Sequence, residues 1–278
     1  VLTGFVITGL VQSSSATTVM TVSFVNAGLI SLLQSAGVMM GANIGTTVTG
    51  WLVSYLGFKF KISAIAIPIM AFALPMIFFR KASIKAWGEF LMGFALLFLG
   101  LAALKDSVPD LSESPELLQF LSAYANPSLL SRLMFVGVGA LLTIIIQSSS
   151  AAMTLTFVMT ANGWIPFEVA ASMILGENIG TTITAELASM VGNVHAKRSA
   201  RIHSLFNIIG VSWMVFLVPY VLPWITWFSV DVMGNASPYS DVTDAPEAIP
   251  LALSYFHSFF NLVNMFLLIG FVGPLVKA

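Results

Sequence analysis

The same five residues, Gln-Ser-Ser-Ser-Ala, occur at Gln12–Ala16 and again at Gln147–Ala151. Each run interrupts apolar sequence with one amide and a row of hydroxyls. Together with the free N–H groups of a helix start, such a cluster suits a small anion: donors converge on it and the helix end adds positive potential. The same oxygens also suit Na⁺. The plainer use of small residues in a membrane is close helix packing. A second motif follows each run, Gly41-Ala42-Asn43-Ile44-Gly45-Thr46-Thr47 and Gly176-Glu177-Asn178-Ile179-Gly180-Thr181-Thr182. Glycine permits local unwinding that exposes carbonyls. Asn43, Thr46, Thr47, Asn178, Thr181 and Thr182 add neutral oxygens, a reasonable cage for an alkali ion. A kink whose freed carbonyls are satisfied by Thr is the structural alternative.

Both motifs recur at one offset, 135 residues, with no gap between them. Aligning Gly4–Thr49 with Gly139–Thr184 gives 18 identities in 46 positions, and these fall largely on polar residues and glycine. Thr8, Thr21, Gly28 and Thr49 match Thr143, Thr156, Gly163 and Thr184. A duplicated unit with a polar centre is a pattern of secondary transporters.

The elements that must hold these motifs are membrane helices. The chain is 58% hydrophobic and 8% charged, with mean hydropathy +0.95, far from the composition of soluble domains. Net charge −1 offers no surface for nucleic acid, and Cys 0 excludes disulfides, thiolate metal sites and cysteine nucleophiles. Apolar spans are predicted at Ser63–Phe79, Trp87–Leu104, Arg201–Leu222 and Leu251–Val276, near the roughly 20 residues a crossing needs. Val1–Val11, Ala16–Ala27, Met134–Ile146 and Ala151–Ala161 are half that length. With polar residues at each join, they predict re-entrant hairpins whose tips reach mid-membrane under a cover of protein. Leu32–Leu56 and Phe167–Val191 are expected to be discontinuous helices, broken near Asn and the second Gly. The expected fold is all-α and polytopic, with two inverted repeats, 1–104 and 132–278. An acidic extracellular linker, 105–131, joins them, and a second extracellular loop covers 224–250. Arg80, Lys81, Lys85, Lys197, Arg198, Arg201 and Lys277 fall on one face, Lys59, Lys61, Lys105 and Arg132 on the other. The positive-inside rule puts the first face in the cytoplasm. Apolar sequence begins at Val1 without a signal-peptide pattern, so the chain is expected to start inside a longer protein.

Glu177 stands where the first copy has Ala42. An acid at membrane depth is a candidate for a cation or proton, or for a pairing near the membrane face. His203-Ser204-Leu205-Phe206-Asn207 resembles His257-Ser258-Phe259-Phe260-Asn261. With His and Asn four apart on one helix face, interhelical hydrogen bonding is expected.

On these paired motifs, present twice and in order, the chain resembles the type II sodium–phosphate cotransporter family. The resemblance covers most of the sequence. It implies sodium-driven import of inorganic phosphate by alternating access, in a multi-pass protein of the cell membrane, here a compact bacterial member of the inner membrane. By motif, Gln12, Ser13, Ser14, Ser15, Gln147, Ser148, Ser149 and Ser150 would line phosphate. Gln12, Gln147, Asn43, Thr46, Thr47, Asn178, Thr181 and Thr182 would contribute to sodium. Na⁺ would be the coupling ion, with no other cofactor and no transition metal; the lipid bilayer is the surrounding partner and a homodimer stays open. The family's members usually have a helix before the first hairpin, so an N-terminal segment ahead of Val1 is expected to be missing from this sequence. Rival readings are a cotransporter of another small oxyanion and an anion channel. A membrane enzyme with a Ser nucleophile lacks a positioned base near either Ser cluster.

Overall fold

Polar residues at the ends of apolar runs cap the start of five helices. The structure is a computed structural model that describes residues 1–60, 62–107 and 128–277. Ser13, Ser128, Ser148 and Asn193 each accept a backbone N–H three residues on, and Ser31 forms a reciprocal box with Gln34. The resulting helices are α1 (Leu2–Val11), α2 (Ser14–Asn26), α3 (Leu32–Trp51), α4 (Ala66–Ile77), α5 (Ala82–Ser107), α6 (Leu129–Ile146) and α7 (Ser149–Ala161). α8 (Phe167–Gly180), α9 (Thr182–Ser189), α10 (Val194–Trp227), α11 (Ala248–Ile269) and α12 (Val272–Lys277) follow. Among the described residues there is no strand. A stretch within α5, the whole of α6 and α11, and α10 with its continuation to Val232 are long and apolar enough to cross a membrane.

The expected break at the glycine motif is missing from the first copy and reduced to a single residue, next to Gly180, in the second. α3 runs through Asn43 and Gly45 without interruption and passes into a wider π-helical stretch at Leu52–Lys59. In the second copy only Thr181 separates α8 from α9. It keeps helical dihedrals (φ −58°, ψ −28°), and its N–H still reaches the Glu177 carbonyl at 3.0 Å. The glycines serve helix contact instead. A Cβ on Gly45 would stand 2.6 Å from Thr8 Cβ, and one on Gly180 2.7 Å from Thr143 Cβ. Gly4 and Gly41, and Gly139 and Gly176, likewise meet the backbone of the facing helix. α1 therefore lies against α3, and α6 against α8, at backbone distance. Gly45→Ala and Gly180→Ala are each expected to destabilise the fold by about 1–3 kcal/mol, the cost of overpacking. Gly93→Ala, which meets nothing within 4 Å, is the control. Thermal unfolding of the purified proteins in detergent checks the difference.

Four span limits also need correction. The run Ser63–Phe79 yields only the twelve-residue α4, after a 3₁₀ turn at Ile62–Ile65. Pro68, third in α4, has no N–H for the residue four before it, so α-helix cannot extend upstream. Pro274 does the same in α12, and Leu251–Val276 divides after Ile269. The loop expected at 224–250 is shorter, because helix continues through Trp227 and a π-helical Phe228–Val232. α6 begins at Leu129, where Ser128 caps it, so it has 18 residues rather than half a span. Of the acidic linker 105–131, residues 108–127 lie outside the described residues.

The apolar core joins α5 to α8 with α10 and α11, through Phe98, Phe157, Phe256 and Phe260. Large apolar side chains such as Phe72, Phe78, Leu130 and Ile145 remain exposed on the outside, as lipid-facing residues must. In the loop after α10, Tyr239 donates to Glu168 in the first turn of α8 at 2.9 Å. Burial, and then the Glu168 charge, push its phenol up to about 12, so it stays a donor through neutral pH.

α10 carries Pro219, which leaves the Val215 carbonyl without its helical donor. The Arg132 guanidinium on α6 fills that gap, donating to Val215 O at 2.6 Å. Arg132→Ala is expected to cost about 1.5–3 kcal/mol, as for a hydrogen bond to a charged group. In a Pro219→Ala background the restored N–H takes the carbonyl, and the loss should shrink to below about 1 kcal/mol. A double-mutant cycle on unfolding free energy reads the coupling.

Candidate functional site

Helices α1 and α6 end in the same unusual way. Gln12 (φ 57°, ψ 28°) and Gln147 (φ 57°, ψ 24°) are left-handed, and they are the only non-glycine residues with positive φ among those described. Each closes its helix with an N–H to the Thr8 or Thr143 carbonyl at 2.7 Å. An L-residue in this region costs about 1–2 kcal/mol; such strain concentrates at functional sites. The turn reverses the chain so that Ser13 and Ser148, both extended, cap α2 and α7. Two apolar helices thus meet two helix N-termini at sharp corners, and the free N–H groups of α2 and α7 point out of those corners.

The two corners meet. Ser14 Oγ and Ser149 Oγ, 135 residues apart, lie 3.4 Å from each other, both buried. Thr49 near the end of α3 joins them: its hydroxyl donates to Gln12 Oε1 at 2.8 Å and accepts from Ser150 Oγ at 3.4 Å. The structure therefore brings Gln12, Ser14, Ser149 and Ser150 into one polar junction; Ser13 and Ser148 flank it as caps, and Ser15 follows Ser14 in the first turn of α2. Gln147 is exposed. Beside the junction, a cavity of about 490 Å³ opens between α5 and α7, with Thr49, Ser148, Ser150 and Thr154 on its polar edge and Leu97, Leu101 and Leu155 among its apolar walls. None of the described Lys or Arg side chains hydrogen-bonds to a residue of either motif.

The Asn–Gly–Thr motifs lie along α3, α8 and α9. Asn43 donates to Asn207 Oδ1 at 2.8 Å, and its own Oδ1 lies 3.2 Å from His203 Nε2. Asn178 Oδ1 lies 3.5 Å from His257 Nε2. The His-Ser-x-Phe-Asn segments of α10 and α11 thus perform the interhelical hydrogen bonding expected of them. Thr46, Thr47, Thr181 and Thr182 donate to carbonyls of their own turns, at 3.0, 2.7, 2.8 and 2.8 Å. Their lone pairs remain for a cation. Glu177 is buried on α8, accepts from Thr156 on α7 at 2.7 Å and has no described ion-pair partner. Glu186 pairs with Arg201 (3.3 Å) and Ser204 (2.7 Å), at a partly exposed position where such a pair adds little stability.

Thr49 was not singled out as a site residue from sequence. Its signal was the identity with Thr184 in the aligned copies. Thr8, which bonds Thr17 at 3.0 Å beneath the first corner, carries the same signal through its identity with Thr143; Thr17 does not, because the second copy has Ala152.

The apolar spans and the buried polar junction between helix ends define an integral membrane protein of transporter type. The family comparison gives the second step: the model of the Na⁺/Pi-cotransporter family matches residues 1–106 and 117–229, and the chain belongs to that family. Among curated proteins it is 28% identical over 277 residues to the "Putative inorganic phosphate export protein YjbB" of Escherichia coli K12, covering 99% of the chain and 46% of that protein. It is 27% identical over 267 residues to YqeW of Bacillus subtilis, covering 95% of the chain and 83% of that protein. Mouse sodium-dependent phosphate transport protein 2C matches at 38% identity over 94 residues, 32% of the chain and 16% of the protein. The chain spans about half the length of the export-named relatives it matches. No solved structure matches it.

Proposed function

We propose that this protein carries inorganic phosphate across the cell membrane by alternating access, coupled to sodium, with phosphate bound at the junction of the two serine corners. The observation that carries this reading is the Ser14–Ser149 approach at 3.4 Å: one motif from each copy, at opposed helix starts, supplies hydroxyl and N–H donors to one point. Gln12, Ser13, Ser14, Ser15 and Gln147, Ser148, Ser149, Ser150 make up the anion shell. Gln12, Gln147, Asn43, Thr46, Thr47, Asn178, Thr181 and Thr182 provide neutral oxygens for Na⁺.

Two inverted repeats with re-entrant hairpins fit the contacts. α1 runs beside the middle and later part of α3, from Gly37 to Val48, and Asn26 at the far end of α2 bonds Asn193 at the start of α10 at 2.8 and 2.9 Å. The first hairpin thereby returns toward the face that carries Lys197, Arg198 and Arg201, the cytoplasmic face by the positive-inside rule. Lys59, at the other end of the helix that includes α3, bonds Asn235 in the opposite loop at 3.1 Å.

A symporter runs in whichever direction its combined gradients point, so an inward sodium gradient drives import. The name of the E. coli relative favours a second reading, export. Substrate identity is tested by equilibrium binding of radiolabelled phosphate to the purified protein in sodium, with sulfate as competitor. Saturable binding that sulfate displaces weakly is expected. Sulfate displacing phosphate at equal concentration would make this a general oxyanion site, and no saturable binding would remove the phosphate reading.

A further inference from the structure

The two motif copies share their residues and their local turns, yet bonds present in one are missing from the other. Gln12 Oε1 accepts from Thr49 at 2.8 Å; the matching Gln147 is exposed, and Thr184 donates to Thr181 O at 2.9 Å instead. Ser150 reaches Thr49 across the junction at 3.4 Å, while the mirror contact, Ser15 to Thr184, is absent among the described residues. Asn43 Nδ2 donates to Asn207 Oδ1 at 2.8 Å, whereas Asn178 Nδ2 is turned to the Ile174 carbonyl of its own helix at 3.0 Å. Asn261, placed on α11 as Asn207 is on α10, is fully buried, and its Oδ1 has no partner among the described residues. His203 on Asn43 and His257 on Asn178 are common to both sides. So are the Asn207 and Asn261 amides, each donating to the His carbonyl four residues back at 3.0 Å.

The compared positions themselves hold the same Gln, Thr, Ser and Asn, so the difference does not lie in those side chains' types. It is a difference of conformation. A buried amide oxygen left without a donor is unfavourable, and the donor that would satisfy it, Asn178 Nδ2, belongs to the residue that its neighbour His257 already holds. We infer that Asn261 is the open half of a latch. Asn178–Asn261 and Gln147–Thr184 bond when Asn43–Asn207 and Gln12–Thr49 let go, so the two sets mark the two ends of the access change. Inverted repeats permit this because each copy can take the other's conformation. The inference rests on the alternating-access reading above; α10 and α11, which carry Asn207 and Asn261, are not themselves related by the 135-residue offset.

The latch predicts effects of opposite sign. Asn207→Leu removes a bond of the present state and shifts the population away from it. Asn261→Leu removes a bond of the other state and holds the protein in this one. The sequence has no cysteine, so a single Ala151→Cys, exposed beside the second corner, reports the state through its labelling rate by a membrane-impermeant maleimide in proteoliposomes. The expected change is about 2- to 12-fold, down for Asn207→Leu and up for Asn261→Leu, as one hydrogen bond allows. Thr49→Val and Thr184→Val give the same test with near-isosteric side chains, down and up respectively, should either Asn variant fail to fold. Both members of a pair moving the reporter the same way, or neither moving it, would overturn the latch. The otherwise unaltered Ala151→Cys protein separates the two levels. If its labelling is indifferent to sodium with phosphate, alternation itself fails and the latch with it; if labelling responds but the variants do not oppose each other, the latch alone fails.

Discussion

Replacing Ser14 or Ser149 by alanine is expected to weaken phosphate binding by about 10- to 150-fold, the worth of one hydrogen bond to a charged group. The two hydroxyls face each other at 3.4 Å inside the junction, so each loss should appear with the other serine intact. The corner itself should survive, because its geometry is held by the Ser13 and Ser148 caps and by the left-handed Gln12 and Gln147. Ser23→Ala on the same helix, whose hydroxyl donates to the Val19 carbonyl at 2.9 Å and is exposed, should leave affinity unchanged. Binding to the folded, purified variants decides it. Wild-type affinity in both Ser14→Ala and Ser149→Ala would put the anion elsewhere.

Replacing sodium with potassium is expected to lower phosphate affinity by more, about 150- to 5,000-fold. Phosphate is anionic at neutral pH, yet none of the described Lys or Arg side chains bonds either motif. Arg132 is committed to Val215, Lys59 to Asn235 and Arg201 to Glu186. Hydroxyls and helix ends supply partial charge only, so under the proposed coupling a co-bound cation balances the rest. Leaving a buried charge without its partner costs about 3–5 kcal/mol, which gives the range stated. The coupling is reciprocal: phosphate should raise sodium affinity by the same factor. Calorimetric titration of each ligand with the other absent and then saturating reads both sides.

Much of this arrangement was legible in the residues, and the misses have physical causes. Ser before an apolar run is a helix start, so the corners at Ser13 and Ser148 could be read from four polar residues between two apolar halves. The glycines misled because a Gly inside a helix looks the same whether it bends the chain or admits a neighbour. Only the position of Thr8 against Gly45, and of Thr143 against Gly180, separates the two. Span limits slipped where Pro68 and Pro274 sit in the first turn of a helix, a place that stops extension upstream without breaking the apolar pattern. Thr49 escaped because its partners, Gln12 and Ser150, are 37 and 101 residues away, a pairing that no local pattern records. The partnering of Asn43 with His203 and Asn207 was half legible: the His-Ser-x-Phe-Asn repeat declared two donor faces, and the fold supplied their target.

The central claim is that sodium and phosphate move together, and flux tests it most directly. The purified protein is reconstituted into vesicles at equal internal and external phosphate, and a sodium gradient is imposed first inward and then outward at clamped voltage. Labelled phosphate is expected to accumulate inside in the first case and to leave in the second, with neither effect when potassium replaces sodium. Phosphate flux of equal size with and without the sodium gradient would contradict the account and favour a channel or an uncoupled exporter.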